Sequence, residues 1–220
     1  MPTIVIASPK GGAGKSTTAV ILGTQFAHAG VNVTMMDCDP NGSLTLWSQR
    51  KPLPDRMKVL SGIKEGEIIR AIKEHDRDGG IVVVDLEGVA SRLVSRAISQ
   101  ADLVLIPMRA TTLDATIGAR ALELIREEEE ALDRPIPHAV VFTMTRAIQS
   151  KQHKAIVASL IEQGIDVVSP ELMERSAFSA LFEFGGNLYD MPEQGNAAAA
   201  IENAQGFAQA VFQRLVGEKV

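Results

Sequence analysis

The chain has a single cysteine, Cys38, in 220 residues. A lone thiol excludes a disulfide framework and removes most cysteine-based metal sites, iron–sulfur clusters among them. No apolar run reaches the ~20 residues that a membrane-spanning helix needs. No charged and apolar leader is recognisable at the N-terminus, where a strand pattern already begins at Thr3. Positive charge is not in excess: 22 Lys and Arg stand against 27 Asp and Glu, a formal net charge of −5. That balance argues against a protein that coats nucleic acid through its overall charge, and leaves a local basic patch open. Repeats, low-complexity stretches and an interdomain linker are also missing. We therefore expect a cytoplasmic protein with one domain over residues 1–220, long enough to bury a full core without staples.

What is present is a regular alternation of strand and helix signals, the pattern of βαβ units. Strands are expected at Thr3 to Ala7, Val31 to Asp37, Ile81 to Asp85, Asp102 to Ile106, His138 to Met144 and Val167-Val168. Helices are expected from Thr18 to Gly30, Ser43 to Arg50, Glu65 to His75, Leu113 to Leu132, Ala155 to Gln163, Ser176 to Phe184 and Ala197 to Val216. Ser43 is the expected cap of the second helix, and Ile156, Val157, Leu160 and Ile161 the expected inner face of the fifth. The fold class is α/β, a mostly parallel twisted sheet with helices on both faces.

Between the first strand and helix lies Ser8-Pro9-Lys10-Gly11-Gly12-Ala13-Gly14-Lys15-Ser16-Thr17. Pro9 occupies the first glycine position of the pattern G-x-x-x-x-G-K-[ST], and the rest fits. Gly11, Gly12 and Gly14 allow backbone N–H groups to turn inward around phosphate oxygens at a helix N-terminus. Lys15 would reach the β- and γ-phosphates, and the Ser16 hydroxyl would bind Mg²⁺. Lys10 is one lysine more than the loop requires. It would repel Lys15 unless both face one polyanion, or unless Lys10 faces a phosphate held by another subunit.

Three aspartates end strands on the side where a parallel sheet binds its ligand. Asp85 closes Ile81-Val82-Val83-Val84 as a Walker-B aspartate would, holding Mg²⁺ directly or through water, or else is a strand-terminal turn residue. Asp39 is the candidate for handling the attacking water, with helix capping as its alternative. Asp37 would support the water shell of the metal. Glu87 is either a second candidate base or a solvated residue.

These residues resemble the ParA/MinD family of P-loop ATPases with a deviant Walker A motif, whose hallmark K-G-G-x-G-K-[ST] is matched by Lys10 to Ser16. The likeness continues through Asp37-Cys38-Asp39-Pro40-Asn41, Ile106-Pro107, Leu113-Asp114 and Thr145-Arg146. The short length and Pro9 are similar to small ParF-type plasmid-partition ATPases, and Glu174-Arg175-Ser176-Ala177-Phe178 to an accessory ATPase of DNA transfer. The resemblance implies ATP and Mg²⁺ as cofactors and an ATP-dependent homodimer in which Lys10 crosses to the partner's phosphates. It implies catalytic roles for Lys10, Lys15 and Asp39, and metal binding by Ser16, Asp39 and Asp85. Nucleotide contacts would come from Gly11, Gly12, Ala13, Gly14, Lys15, Ser16 and Thr17, with Thr145, Arg146 and Met173 near adenine. Leu86-Glu87-Gly88 departs from the Pro or Ala that often follows the family's Walker-B aspartate.

The function so implied is slow ATP hydrolysis stimulated by a small centromere-binding or cargo-adaptor protein, with nonspecific DNA binding in the ATP state. Localisation would be cytoplasmic and nucleoid-associated. Arg146, Lys151, Lys154 and Arg175 are the candidate DNA contacts, against which stand Glu162, Asp166, Glu171 and Glu174. The alternatives are positioning of a DNA-transfer intermediate or protein cluster, or membrane cycling of the MinD kind. Phe207, Val211, Phe212, Leu215 and Val216 form a C-terminal apolar stripe, but only Arg214 and Lys219 flank it with positive charge, so a membrane partner is not expected. A helix-turn-helix preceding the phosphate loop is not expected either.

Overall fold

In the computed structural model, residues 2–76, 80–88, 91–191 and 197–217 are described. Seven strands form one sheet in the order β3-β2-β4-β1-β5-β6-β7, with every pairing parallel. The strands are β1 Thr3–Ile6, β2 Asn32–Cys38, β3 Met57–Ser61, β4 Gly80–Leu86, β5 Leu103–Met108, β6 His138–Thr145 and β7 Leu172–Met173. The helices are α1 Lys15–His28, α2 Ser43–Ser48, α3 Ile68–Asp76, α4 Arg92–Ile98, α5 Thr112–Leu132, α6 Lys151–Glu162, α7 Ser176–Phe184 and α8 Ala197–Leu215. The expected α/β class holds.

The sheet separates two apolar cores, and the pleat of β1 divides its side chains between them. Ile4 and Ile6 join Leu22, Trp47, Phe178 and Phe207 under α1, α2, α7 and α8. Val5 joins Val84, Ile125, Phe142 and Leu160 under α3, α4, α5 and α6. Each such fully buried aliphatic side chain contributes about 1.5–3 kcal/mol. Central β1 therefore holds the phosphate loop at the middle of the sheet's carboxyl edge.

Several expectations are corrected. Edge strand β3 and helix α4 carry no clear sequence signal. The first follows Pro52 and Pro54 and exposes Lys58, while the second is only seven residues long. Val167 makes an isolated bridge to Val140, and the last strand is β7 instead. Helix α6 starts at Lys151 and buries His153 and Leu160, leaving Ile161 exposed. The sequence pattern misses His153 because its ring packs on Phe142 and its Nε2 lies 2.7 Å from Glu171, satisfying a polar side chain inside. Phe207 and Val211 of α8 are fully buried, while Phe212 and, just past the helix, Val216 are exposed, so the apolar stripe is half core. No helix among the described residues is long and apolar enough to cross a membrane.

Candidate nucleotide site

The loop from Ala7 to Gly14 leaves the end of β1 and enters α1 with Gly14 in the left-handed region, φ 86°. A Cβ there would lie 3.2 Å from Thr143, so both conformation and space require glycine. Helices α4, α5 and α6 are capped by the Ser91, Thr111 and Ser150 hydroxyls, whereas no side chain caps α1. Its first-turn N–H groups are thus left for an anion.

The loop carbonyls, by contrast, are tied up. Lys15 Nζ reaches Lys10 O at 3.4 Å, Arg109 Nη2 donates to Gly12 O at 3.2 Å, and Thr143 Oγ1 donates to Ala13 O at 2.8 Å. Thr18 donates from both N and Oγ1 to Gly14 O, each at 2.8 Å. With these carbonyls engaged by surrounding donors, the loop N–H groups are what remains to meet an anion, the polarity a phosphate needs. Arg109 and Thr143 were not legible as loop partners, since each is brought there by a strand distant in sequence.

Asp85 ends β4 fully buried, and neither carboxylate oxygen has a hydrogen-bond partner of good geometry. Burial pushes its pKa up to about 7. The nearby Ser16 hydroxyl and Lys15 ammonium oppose the rise, and Asp37 and Asp39 add to it. An orphaned buried carboxylate beside a hydroxyl and a phosphate loop fits a divalent cation, which would supply the missing charge. Ser16 and Asp85 would hold Mg²⁺, which supplies charge neutralisation on the phosphates. No cluster of three His, Cys, Asp or Glu among the described residues would hold a metal by itself.

Of the two aspartates at the end of β2, Asp37 lies in the strand and has a structural task besides the expected one, and Asp39 follows it. Asp37 Oδ2 accepts from Thr45 N at 2.7 Å and Thr45 Oγ1 at 2.6 Å, so it caps α2 from the strand. Ser43 is the first helical residue, Gly42 holds the cap position, and neither supplies a side-chain bond. Asp39 lies half-buried in the loop above. Its Oδ1 accepts from Asn41 N and Asn41 Nδ2, both at 2.9 Å, which orients the carboxylate and leaves Oδ2 without a hydrogen bond among the described residues. Burial and the charges of Asp37 and Asp85 push the neighbouring Cys38 thiol up to about 12, so it is a protonated core residue. Glu87 is half-buried in the wall of two clefts, one beside Asp37 and Asp39 and the other beside Pro9.

Lys10 does not point into its own loop. Its Nζ lies 2.5 Å from Asp114 Oδ1 at the start of α5, and Asp114 is almost wholly buried. Asp114 Oδ2 accepts from Thr111 Oγ1, which in turn caps the Asp114 N–H. Burial alone would raise the Asp114 pKa; bonds from Lys10 and Thr111 and the charges of Lys10 and Arg109 outweigh it and hold the group below its ordinary value.

A cleft of about 110 Å³ opens beside Gly14 and Thr17, lined by Thr143, Met144, Leu172, Met173, Arg175 and Phe178 among others. Of the three residues expected near adenine, Met173 lines it, Thr145 is buried in the strand behind, and Arg146 is exposed. Arg175 belongs with this cleft rather than with the outer basic residues: its Nη2 donates to Met173 Sδ at 3.4 Å. Arg146, Lys151 and Lys154 are exposed around the start of α6.

Residues 4–188 match the CobQ/CobB/MinD/ParA nucleotide binding domain model. Protein ParA of Rhizobium radiobacter is 63% identical over 217 residues, covering 98% of each chain. Among solved structures, an ATP complex of a Cyanothece McdA variant superposes with a TM-score of 0.77 at 19% identity, covering 100% of this chain and 98% of that one. A putative plasmid partition protein from Borrelia burgdorferi B31, bound to AMPPNP, gives 0.73 at 16% identity, covering 97% and 99%. At these identities the two structures speak to the fold, and the sequence matches speak to ancestry. The chain belongs to the CobQ/CobB/MinD/ParA family of nucleotide-binding domains.

Proposed function

We propose that the protein is a partition ATPase that binds ATP with Mg²⁺, dimerises around it, binds DNA without sequence preference in that state, and hydrolyses ATP slowly until a cargo-bound adaptor accelerates turnover. The observation that carries this reading is the division of labour between two lysines on one loop. Lys15 is buried and folded against the loop, whereas Lys10 stands at its rim, one-third exposed and directed elsewhere. A cation placed so that it does not serve its own phosphates is suited to serve another subunit's, as an arginine finger does. Lys15, Ser16, Thr17 and the loop amides would hold the phosphates, Ser16, Asp39 and Asp85 the metal, and Asp39 the attacking water. Thr145, Arg146 and Met173 remain the proposed surroundings of adenine, beside Arg175.

The DNA surface we propose is Arg146, Lys151 and Lys154. Sequence counting set four acids against this region. In space Asp166 is paired with Arg214 at 2.6 Å, so one of the four does not offset the patch, and Glu171 is turned onto the buried His153 ring. None of the three cations is held in an ion pair among the described residues. Contacts of this kind are phosphate-directed, and binding should fall steeply with salt. Residues 1–220 would act as one domain, in the cytoplasm and on the nucleoid.

The test combines two variants and three nucleotide states. Lys15→Ala should lose ATP binding, whereas Asp39→Ala should keep an ATP dimer, read by light scattering, and lose turnover. DNA retention of the unmodified protein should require ATP and collapse between low and high salt. Equal retention with ATP, ADP and no nucleotide would sink the reading, and normal hydrolysis by Asp39→Ala would remove the catalytic assignment.

A further inference from the structure

Asp114 poses a problem for any movement of Lys10. The carboxylate is 3% exposed and Lys10 is its ion-pair partner; Thr111 offers one hydroxyl bond and nothing else positive. If Lys10 leaves for another subunit, a buried charge stays behind, and breaking such a pair is costly. One more cation lies within reach. Arg109 follows β5 directly, is exposed, and anchors only one guanidinium nitrogen, Nη2, on Gly12 O. Its fork has five donors, so the remaining ones are available without releasing the loop. Arg109 grips the loop two residues past Lys10, and its charge already acts on the Asp114 carboxylate.

We propose that Arg109 is a positioning residue that takes over Asp114 when Lys10 departs, and so lowers the cost of the departure. This rests on the proposed function insofar as Lys10 leaves for a second copy of the chain. In the resting protein Lys10 holds Asp114 while Arg109 pins Gly12. On release, Arg109 pivots about its bond to Gly12 O and offers its free N–H edge to Asp114 Oδ1. Phosphate loop and α5 remain tied throughout, and the buried carboxylate is never left alone. A guanidinium suits this role because it bridges two acceptors in one plane, which an ammonium on a flexible stem does not.

The hand-over can be tested without a dimer, by a thermal double-mutant cycle on Lys10→Ala and Arg109→Ala at neutral pH without nucleotide. Each single substitution should lower Tm by about 1–2 °C, since the other cation covers Asp114. The pair should fall further than the sum by about 3 °C or more. The excess should vanish in an Asp114→Asn background, where no charge needs covering. Should the pair fail to fold, adding Asp114→Asn must restore folding. Additive losses, or an excess that survives Asp114→Asn, would overturn the proposal and leave Arg109 as a loop brace. A second arm uses Asp39→Ala protein with ATP: adding Arg109→Ala should weaken dimerisation about tenfold, and adding Asp114→Asn as well should restore it. Failure of that restoration also overturns the hand-over. If Asp39→Ala protein stays monomeric with ATP although Arg109 is intact, the partition reading fails, and the thermal cycle still decides on Arg109.

Discussion

Lys10 Nζ sits 2.5 Å from Asp114 Oδ1, so the signature lysine of the phosphate loop is held by the first turn of a helix in the same chain. In the proposed ATP dimer Lys10 would have to leave this pair, so the strength of the pair would oppose dimerisation. Asp114→Asn should therefore raise the fraction of ATP-bound dimer severalfold at a fixed protein concentration, measured by light scattering or sedimentation. An unchanged or smaller dimer fraction would mean that Lys10 is not the restraint.

The same carboxylate carries a pH signature. Its folded pKa lies below the ordinary 3.8, so its contribution to stability is fully present above that value and is lost as pH falls through the lowered one. Compared with Asp114→Asn, the unmodified protein should be more stable at pH 6 by about 1–2 kcal/mol. That advantage should shrink below pH 4. Urea midpoints at a series of pH values would show it, and a gap that stays constant into acid would contradict it.

Asp85 should behave in the opposite way when replaced. At pH 8, above its raised value of about 7, it is a buried charge without a hydrogen-bond partner of good geometry. Asp85→Asn should raise the Tm of nucleotide-free, Mg²⁺-free protein by a few degrees, while abolishing the extra stabilisation that ATP gains from Mg²⁺. Loss of stability in the metal-free state would show that the carboxylate has a structural partner after all.

Gly14→Ala tests the loop geometry. With φ 86° and Thr143 3.2 Å from the new Cβ, the substitution strains the backbone and pushes on the side chain that holds Ala13 O. We expect a cost of about 1–3 kcal/mol and at least tenfold weaker ATP binding. Shortening the neighbour as well, with Thr143→Ala, should relieve the contact but not recover binding, since the backbone strain and the lost carbonyl bond remain.

Local signals carried most of the fold and the phosphate end of the site into the sequence. The glycine loop, Lys15, Ser16 and Asp85 each lie at the end of a strand or the start of the helix beyond it, where apolar runs and glycines mark the boundaries. What stayed illegible was set by contacts between distant segments. Arg109 meets Gly12 across 97 positions and Thr143 meets Ala13 across 130, and nothing near either residue announces it. Asp37 illustrates a different failure. A strand-end aspartate beside a phosphate loop suggests metal work, and only the return of Thr45 over the strand shows that its Oδ2 also caps α2, while Oδ1 stays buried without a hydrogen bond. Lys10 was readable as surplus, whereas its resting partner required α5 to be placed against the loop.

Trp47, the chain's one tryptophan, is 1% exposed on α2, with Nε1 donating to Gly186 O at 2.9 Å. Its helix begins four residues after Asp39 and hangs from Asp37, so the indole is mechanically joined to the segment that carries the residue proposed to hold the attacking water. The protein thus carries its own optical gauge. Emission excited at the indole band should report each rearrangement of that segment in real time, without a label and without a competing tryptophan elsewhere.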